Sequence, residues 1–369
     1  MCVKDAFAMT SSYAPRSRSR LHSDEMGSAW MLNPTLSTQD AETRGKHFEV
    51  TRTLKNEYSA EEFELFPRGS HARVLELCGK LEPALAEWCE RYPAIAPSRL
   101  QSTALVGAVA AIPGSTFEQN VLLTKVGLIT FAIDDIADGE IGELTDDESL
   151  GMVDRYLLTV ESPDSESWDA ARGEAECIGA ALQELTRELM AAEGAVRFGW
   201  LWREHFQRMI SGHQVELRTK RLYQTHRTLP AFEEYLQAGQ WTISLPMWAA
   251  AVLMVINPQV EHDLSEDPLI EDILRELGLL VRWTNDIRSF DREYREGKFN
   301  GLTLLMRRGM SEAEAEREAV NRSSRHLRKL ESLTAMLPSS LEEWGKSVVR
   351  TGRFCRNVYL KQEFHHWNS

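Results

Sequence analysis

From about residue 70 onward, apolar positions recur at steps of three and four along most of the chain. In ARVLELCGKLEPALAEWCERYP (72–93), Val74, Leu77, Leu81, Leu85 and Trp88 fall on one stripe, the period of an amphipathic helix. The same reading predicts helices near 117–138, 146–160, 168–192, 194–222, 231–256, 266–296, 311–335 and 339–363. No segment alternates apolar and polar residues between hairpin turns, so the pattern implies an all-α protein. ESPDSES (161–167) and NPQVEHDLSED (257–267) read as polar connections. With no repeat and no break in composition, one domain of eight to ten helices over 56–369 is expected, preceded by a flexible segment over 1–55.

Composition narrows the class. Hydrophobic residues make up 43% and charged residues 27%, ordinary for a globular protein, and 369 residues suffice for a large core without disulfides. A net charge of -14 disfavours a general nucleic-acid surface, so an anionic ligand must be met locally, by arginines or metal ions. Cys2, Cys78, Cys89, Cys177 and Cys355 are odd in number and lack zinc spacing, which fits a reducing compartment. No uncharged run approaches the ~20 residues of a bilayer span; SLPMWAAAVLMVIN (244–257) reads as a buried helix. A cytoplasmic location is expected, with an organellar leader as the alternative for the Arg- and Ser-containing start.

Chemistry concentrates in two places. Asp134, Asp135 and Asp138 follow the apolar run VGLITFAI. Asp134 and Asp138 share a helix face, with Asp135 about 100° away. These carboxylates repel one another at a helix carboxyl end, where the macrodipole also disfavours anions. Lys125 is more than two turns away, so a counter-charge must come from elsewhere. In VRWTNDIRSFDREYREGKFN (281–300), Asn285, Ser289 and Glu293 recur every four residues, drifting about 40° per step into one stripe of oxygen ligands. Amide, hydroxyl and carboxylate oxygens suit a hard divalent cation such as Mg²⁺.

These two motifs, Asp134-Asp135-Ile136-Ala137-Asp138 and Asn285-Asp286-Ile287-Arg288-Ser289-Phe290-Asp291-Arg292-Glu293, resemble the DDxxD and NDxxSxxxE signatures of class I terpene synthases. The resemblance covers roughly 70–365 and implies a helical bundle around a central apolar pocket. It further implies three Mg²⁺ ions: Asp134 and Asp138 hold two, Asn285, Ser289 and Glu293 hold the third, and Asp135 turns towards arginines behind it. Arg292 takes the place of a diphosphate-facing lysine. The "sensor" arginine of bacterial members, 46 residues before the Asn, is Gly239 here. Arg282, three residues before Asn285, matches an arginine of plant members that contacts the diphosphate, and Arg353 with Tyr359 matches their Arg-to-Tyr spacing.

Pro246 predicts a helix break over Thr242–Pro246, which in the family faces the pocket; Thr242, Ile243 and Ser244 are therefore pocket candidates. Phe131, Trp241 and Trp248 are candidates for stabilising a passing cation through their ring faces. The implied reaction ionises a linear prenyl diphosphate, of farnesyl or geranylgeranyl length, and cyclises the carbocation to a sesqui- or diterpene. A homodimer is compatible with this reading. The alternatives are a chain-elongating prenyltransferase, opposed by Asn285 and Ser289; a squalene- or phytoene-type synthase, opposed by the lack of paired DxxxD motifs; and an inactive helical scaffold, which Gly239 keeps open.

Overall fold

The structure, a computed structural model, describes residues 70–95, 99–142, 144–260, 264 and 267–361. The segment 1–55 and Cys2 lie outside them. Among the described residues there are twelve α-helices and no strand. They are α1 (His71–Arg91), α2 (Leu100–Ala110), α3 (Phe117–Asp138), α4 (Asp146–Glu161), α5 (Glu174–Met190), α6 (Ala195–His226), α7 (Phe232–Thr242), α8 (Leu245–Ile256), α9 (Pro268–Arg295), α10 (Gly301–Arg307), α11 (Glu312–Thr334) and α12 (Glu342–Tyr359).

Local signals fix the ends of the two motif helices. A capping box starts α3: the Thr116 side chain accepts from the Gln119 amide, and the Gln119 side chain accepts from the Thr116 amide. Gly139, at φ 69°, ends α3 in the left-handed conformation directly after Asp138. Asp267 caps α9, with Pro268 in the first turn. The acidic motif thus sits in the last turn of α3, while the second motif lies within the last three turns of α9.

At the centre runs α8, buried at every position from Pro246 to Val255 and packed against α3, α6, α9 and α12. Each fully buried Val, Leu or Met side chain there contributes about 1.5–3 kcal/mol. The helical segment 232–256 is apolar enough by composition to cross a bilayer, but 78% of its most apolar window is buried in the protein. Trp344 ties α12 to α8 by donating to the Ala249 carbonyl at 2.9 Å. The four described cysteines are buried and free.

Differences from the sequence reading have physical causes. The helix expected over 168–192 starts at Glu174, because the chain before it turns, with the Arg172 amide donating to the Asp169 carbonyl at 2.9 Å. The segment 231–256 is two helices, α7 and α8, as the break expected over Thr242–Pro246 implies; they part at Ile243 and Ser244, where Ser244 adopts φ 62°. The α2 helix escaped detection because it is buried on nearly every side and carries no polar face; α10, with seven residues, is too short to display a period.

The line-up of α9 against the α7–α8 break depends on Gly278. A Cβ there would lie 2.1 Å from the Gln240 carbonyl oxygen, a backbone atom with little freedom to move. Gly278→Ala is therefore expected to cost about 1–3 kcal/mol, read as a lower midpoint in thermal circular dichroism. An unchanged midpoint would show that the approach of α9 is not tight.

Candidate active site

Two cavities meet between α3 and α9. One is apolar, about 810 Å³ with its open mouth counted, and is walled by Phe131, Thr242, Ile243, Ser244, Trp248 and Tyr359 among others. The other is polar and takes in Asp138, His213, Glu216, Arg292 and Glu293. Asp134, Arg282 and Asn285 line both cavities and form the seam between them. The two sequence motifs, 151 residues apart at Asp134 and Asn285, are thus brought to one place.

Adjacent residues in each motif divide their work by helical phase. Asp135 turns inward and pairs with the buried guanidinium of Arg99, which also donates to the Phe131 carbonyl at 3.3 Å. Burial pushes the Asp135 carboxyl up to about 6, with Arg99 opposing. Asp286 likewise turns inward and is fully buried; it accepts from the Tyr235 hydroxyl at 2.7 Å and the Gly301 amide at 3.2 Å, and lies 3.0 Å from Arg282 Nε. Asp134 and Asn285, one residue earlier in each motif, face the cavities instead.

On the cavity side, Asp134, Asp138 and Glu293 have no arginine or lysine ion pair among the described residues. Burial and the nearby Asp138 carboxylate push Asp134 well above the usual carboxylate range, although its side chain retains 45% exposure towards the cavity. Burial, then Asp286, push Glu293 up to about 7, and its Oε2 is buried without a hydrogen-bond partner. Ser289 is buried one turn before Glu293, its hydroxyl donating to the Asn285 carbonyl at 3.0 Å. An orphaned carboxylate oxygen beside crowded acids, an amide and a hydroxyl is a donor set that fits a hard divalent cation. Among the described residues no three His, Cys, Asp or Glu side chains close on a common metal position.

Of the basic residues expected at the site, Arg282 and Arg292 reach the cavities and Arg353 does not. Arg282 lies at the seam, held by Glu216 at 3.1 Å, by the Thr242 hydroxyl at 3.3 Å and by Asp286. It rests on Gly239, where a Cβ would stand 2.9 Å from Arg282 Nε and 3.1 Å from Cζ. A side chain at 239 and this position of Arg282 exclude each other, so the missing arginine at Gly239 leaves the room that Arg282 fills. Arg292 lines the polar cavity and donates to Glu140 at 2.8 Å.

Arg353 corrects the sequence reading. It is exposed and pairs with Glu331 on α11; the cavity face of α12 carries Cys355 and Tyr359, one turn apart, and Arg353 lies round the helix from them. Trp241 is a second correction: its ring lies 5.3 Å from His205 and beneath Arg208, away from the cavity, while the next residue, Thr242, faces it. The remaining pocket candidates, Phe131, Thr242, Ile243, Ser244 and Trp248, line the apolar cavity.

Several site residues had no sequence signal that singled them out. Arg99 is 35 residues before Asp134, and no local pattern links the two. His213, Glu216 and Lys220 recur at steps of three and four on α6, but within a stretch rich in surface charge. His213 is buried, with Nδ1 4.0 Å from both Asp134 and Glu216, and burial holds it below the usual imidazole range. Lys298 follows Glu293 by five residues and enters the same cavity.

Two measurements test this arrangement. Arg99→Met leaves Asp135 buried without its partner and should cost about 3–5 kcal/mol in chemical denaturation, with Asp135→Asn restoring part of the loss; an effect below about 1 kcal/mol would mean the pair is not truly buried. Glu293, raised in the folded state from 4.5 to about 7, contributes stability that is complete below about pH 4.5 and lost as pH rises through about 7. In metal-free protein, Glu293→Gln should lack that decline in thermal midpoint, whereas parallel curves for the two proteins would remove Glu293 as its source.

Known proteins resemble this chain in sequence and in fold. Ent-kaurene synthase-like 1 of Ricinus communis is 26% identical over 207 residues, which are 53% of this chain and 26% of the relative. Ent-cassa-12,15-diene synthase of Oryza sativa subsp. japonica is 32% identical over 115 residues, 30% of this chain and 14% of that protein. The chain spans about a quarter or less of the length of these curated relatives. Among solved structures, linalool/nerolidol synthase from Streptomyces clavuligerus aligns with a TM-score of 0.58 at 17% identity, covering 79% of this chain and 95% of that one. The 2-methylisoborneol synthase from Streptomyces coelicolor A3(2), solved with Mg²⁺ and 2-fluorogeranyl diphosphate, aligns at 0.60 and 17% identity over 80% of this chain and 92% of its own. These likenesses establish a class I terpene synthase all-α fold. Residues 125–329, more than half of the chain, match the family described as terpene synthase family 2, C-terminal metal binding, and the chain belongs to that family.

Proposed function

We propose that this protein is a Mg²⁺-dependent terpene cyclase that ionises a linear prenyl diphosphate of C15 or C20 length. The observation that carries the reading is the seam: Asp134, Arg282 and Asn285 each border both an apolar and a polar cavity. A prenyl diphosphate has the same division, with its reacting C–O bond at the junction of hydrocarbon and anion.

Asp134 and Asp138 would hold two of three Mg²⁺ ions, and Asn285, Ser289 and Glu293 the third. Bound there, the metal supplies the positive charge against which diphosphate departs. Arg282, fixed by Glu216, Thr242 and Asp286, presents an oriented guanidinium at the seam, and Arg292 adds a second from the polar side. The allylic C–O bond breaks with its electron pair leaving on the diphosphate. A π bond of the chain then attacks the allylic cation, and the cyclised cation loses a proton or captures water.

Until that quench the cation must meet no nucleophile. Apolar walls provide this, and the rings of Trp248 and of Phe131, one face of which already lies under the Arg99 guanidinium, would stabilise positive charge by ~0.5–2 kcal/mol each. The Trp248 indole N–H is spent on the Leu123 carbonyl at 3.2 Å, so it leaves no free donor at the pocket wall. At the α7–α8 break, the carboxyl end of α7 places partial negative charge beside the cavity, which also favours a cation.

Incubation with C10, C15 and C20 prenyl diphosphates and Mg²⁺, followed by mass spectrometry, should give cyclic hydrocarbons or alcohols. Asp134→Ala and Glu293→Ala should each lower turnover by about 10²–10³-fold or more with helical circular dichroism intact. Longer linear diphosphates would indicate chain elongation, and no turnover of any substrate would favour a scaffold.

A further inference from the structure

Four cationic side chains, Lys220, Arg282, Arg292 and Lys298, enter the polar cavity. Three of them have carboxylate partners: Arg282 with Glu216 and Asp286, Arg292 with Glu140, and Lys298 with Glu296 at 3.0 Å. Lys220 differs. Its ammonium donates to the Asp138 carbonyl oxygen at 3.2 Å, and no carboxylate of the described residues is paired with it. An ammonium carries three donors and no acceptor, so a half-buried one with a single neutral partner has donors to spare. The cavity is where they can be used.

The placement follows from the helix. His213, Glu216 and Lys220 stand at steps of three and four on α6 and line the polar cavity as one stripe. Lys298 reaches the same cavity from the turn after α9, where its backbone amide donates to the Glu293 carbonyl at 2.8 Å and ties it to the second motif. Two of the basic positions expected from the family pattern contribute nothing here, since position 239 is glycine and Arg353 points outward. Further positive charge for an anion has to come from within the cavity.

We propose that Lys220, assisted by Lys298, is a ligand of the diphosphate group, supplying from α6 and the α9–α10 turn the contacts that Gly239 and Arg353 do not. This rests on the prenyl-diphosphate reading of the site. The shared chemistry is the diphosphate headgroup, whether on a prenyl chain or free as inorganic pyrophosphate. A purely structural role is the competing account, in which Lys220 only caps the carboxyl end of α3.

Isothermal titration of inorganic pyrophosphate in the presence of Mg²⁺ separates the two. Lys220→Met should weaken pyrophosphate binding about tenfold, the double variant with Lys298→Met further still, and Lys220→Arg should restore most of it. KM for a prenyl diphosphate should rise in parallel. Binding by Lys220→Met within about twofold of the parent, or a loss that follows a fall in thermal midpoint and that Lys220→Arg fails to rescue, would overturn the proposal. Pyrophosphate binding that falls as expected in a protein that turns over no prenyl diphosphate would retain this inference and sink the cyclase reading. A parent protein that binds no pyrophosphate would sink both.

Discussion

Crowded negative charge is the constraint around which the site is organised. Asp134, Asp135, Asp138, Glu216, Asp286 and Glu293 come from three helices into one region. Isolated buried carboxylates are costly, so each needs a cation or a proton. The fold supplies internal cations to some of them: Arg99 to Asp135, and Arg282 to Asp286 and Glu216. Asp134, Asp138 and Glu293 are the remainder, and the upward pressure on Asp134 and Glu293 expresses it. A divalent cation brought in with an anionic ligand is the natural complement.

Helical phase makes the division between structural and functional acids. A step of one residue turns a side chain by about 100°, which suffices to send Asp135 to Arg99 while Asp134 faces the cavity, and Asp286 to Tyr235 while Asn285 faces the cavity. Each motif therefore anchors its own helix with one residue and presents its neighbour. The same seam separates polar from apolar surroundings, so leaving-group charge and hydrocarbon would be handled in adjoining but different media. Gly239 and Arg282 are a further instance of paired design, since the absence of one side chain creates the seat of another.

Much of this was legible in the sequence because it depends on period and charge. The all-α class followed from apolar steps of three and four, and the two oxygen-rich stripes at the cavities from spacing by four. The break at Ser244 followed from Pro246, and the unexplained charge at Asp134 and Asp138 called for a counter-ion from elsewhere. What could not be read depended on tertiary placement. Arg353 satisfied a spacing but lies on the wrong side of α12, and Trp241 is one residue out of phase with Thr242. Arg99, His213, Glu216 and Lys220 join the site through packing between distant segments, which no local pattern records. The α2 helix was hidden by its burial, because a helix surrounded by core has no polar face to reveal its period.

The central claim is that the stripes on α3 and α9 share a single metal-dependent diphosphate site. Crystals grown with Mn²⁺ and inorganic pyrophosphate, with the ions located by anomalous scattering, test it most directly. The account predicts ions ligated by Asp134 on one side and by Asn285, Ser289 and Glu293 on the other, with pyrophosphate between them in one cavity. Ions bound to only one stripe, or no ordered ion between α3 and α9 with pyrophosphate present, would contradict it.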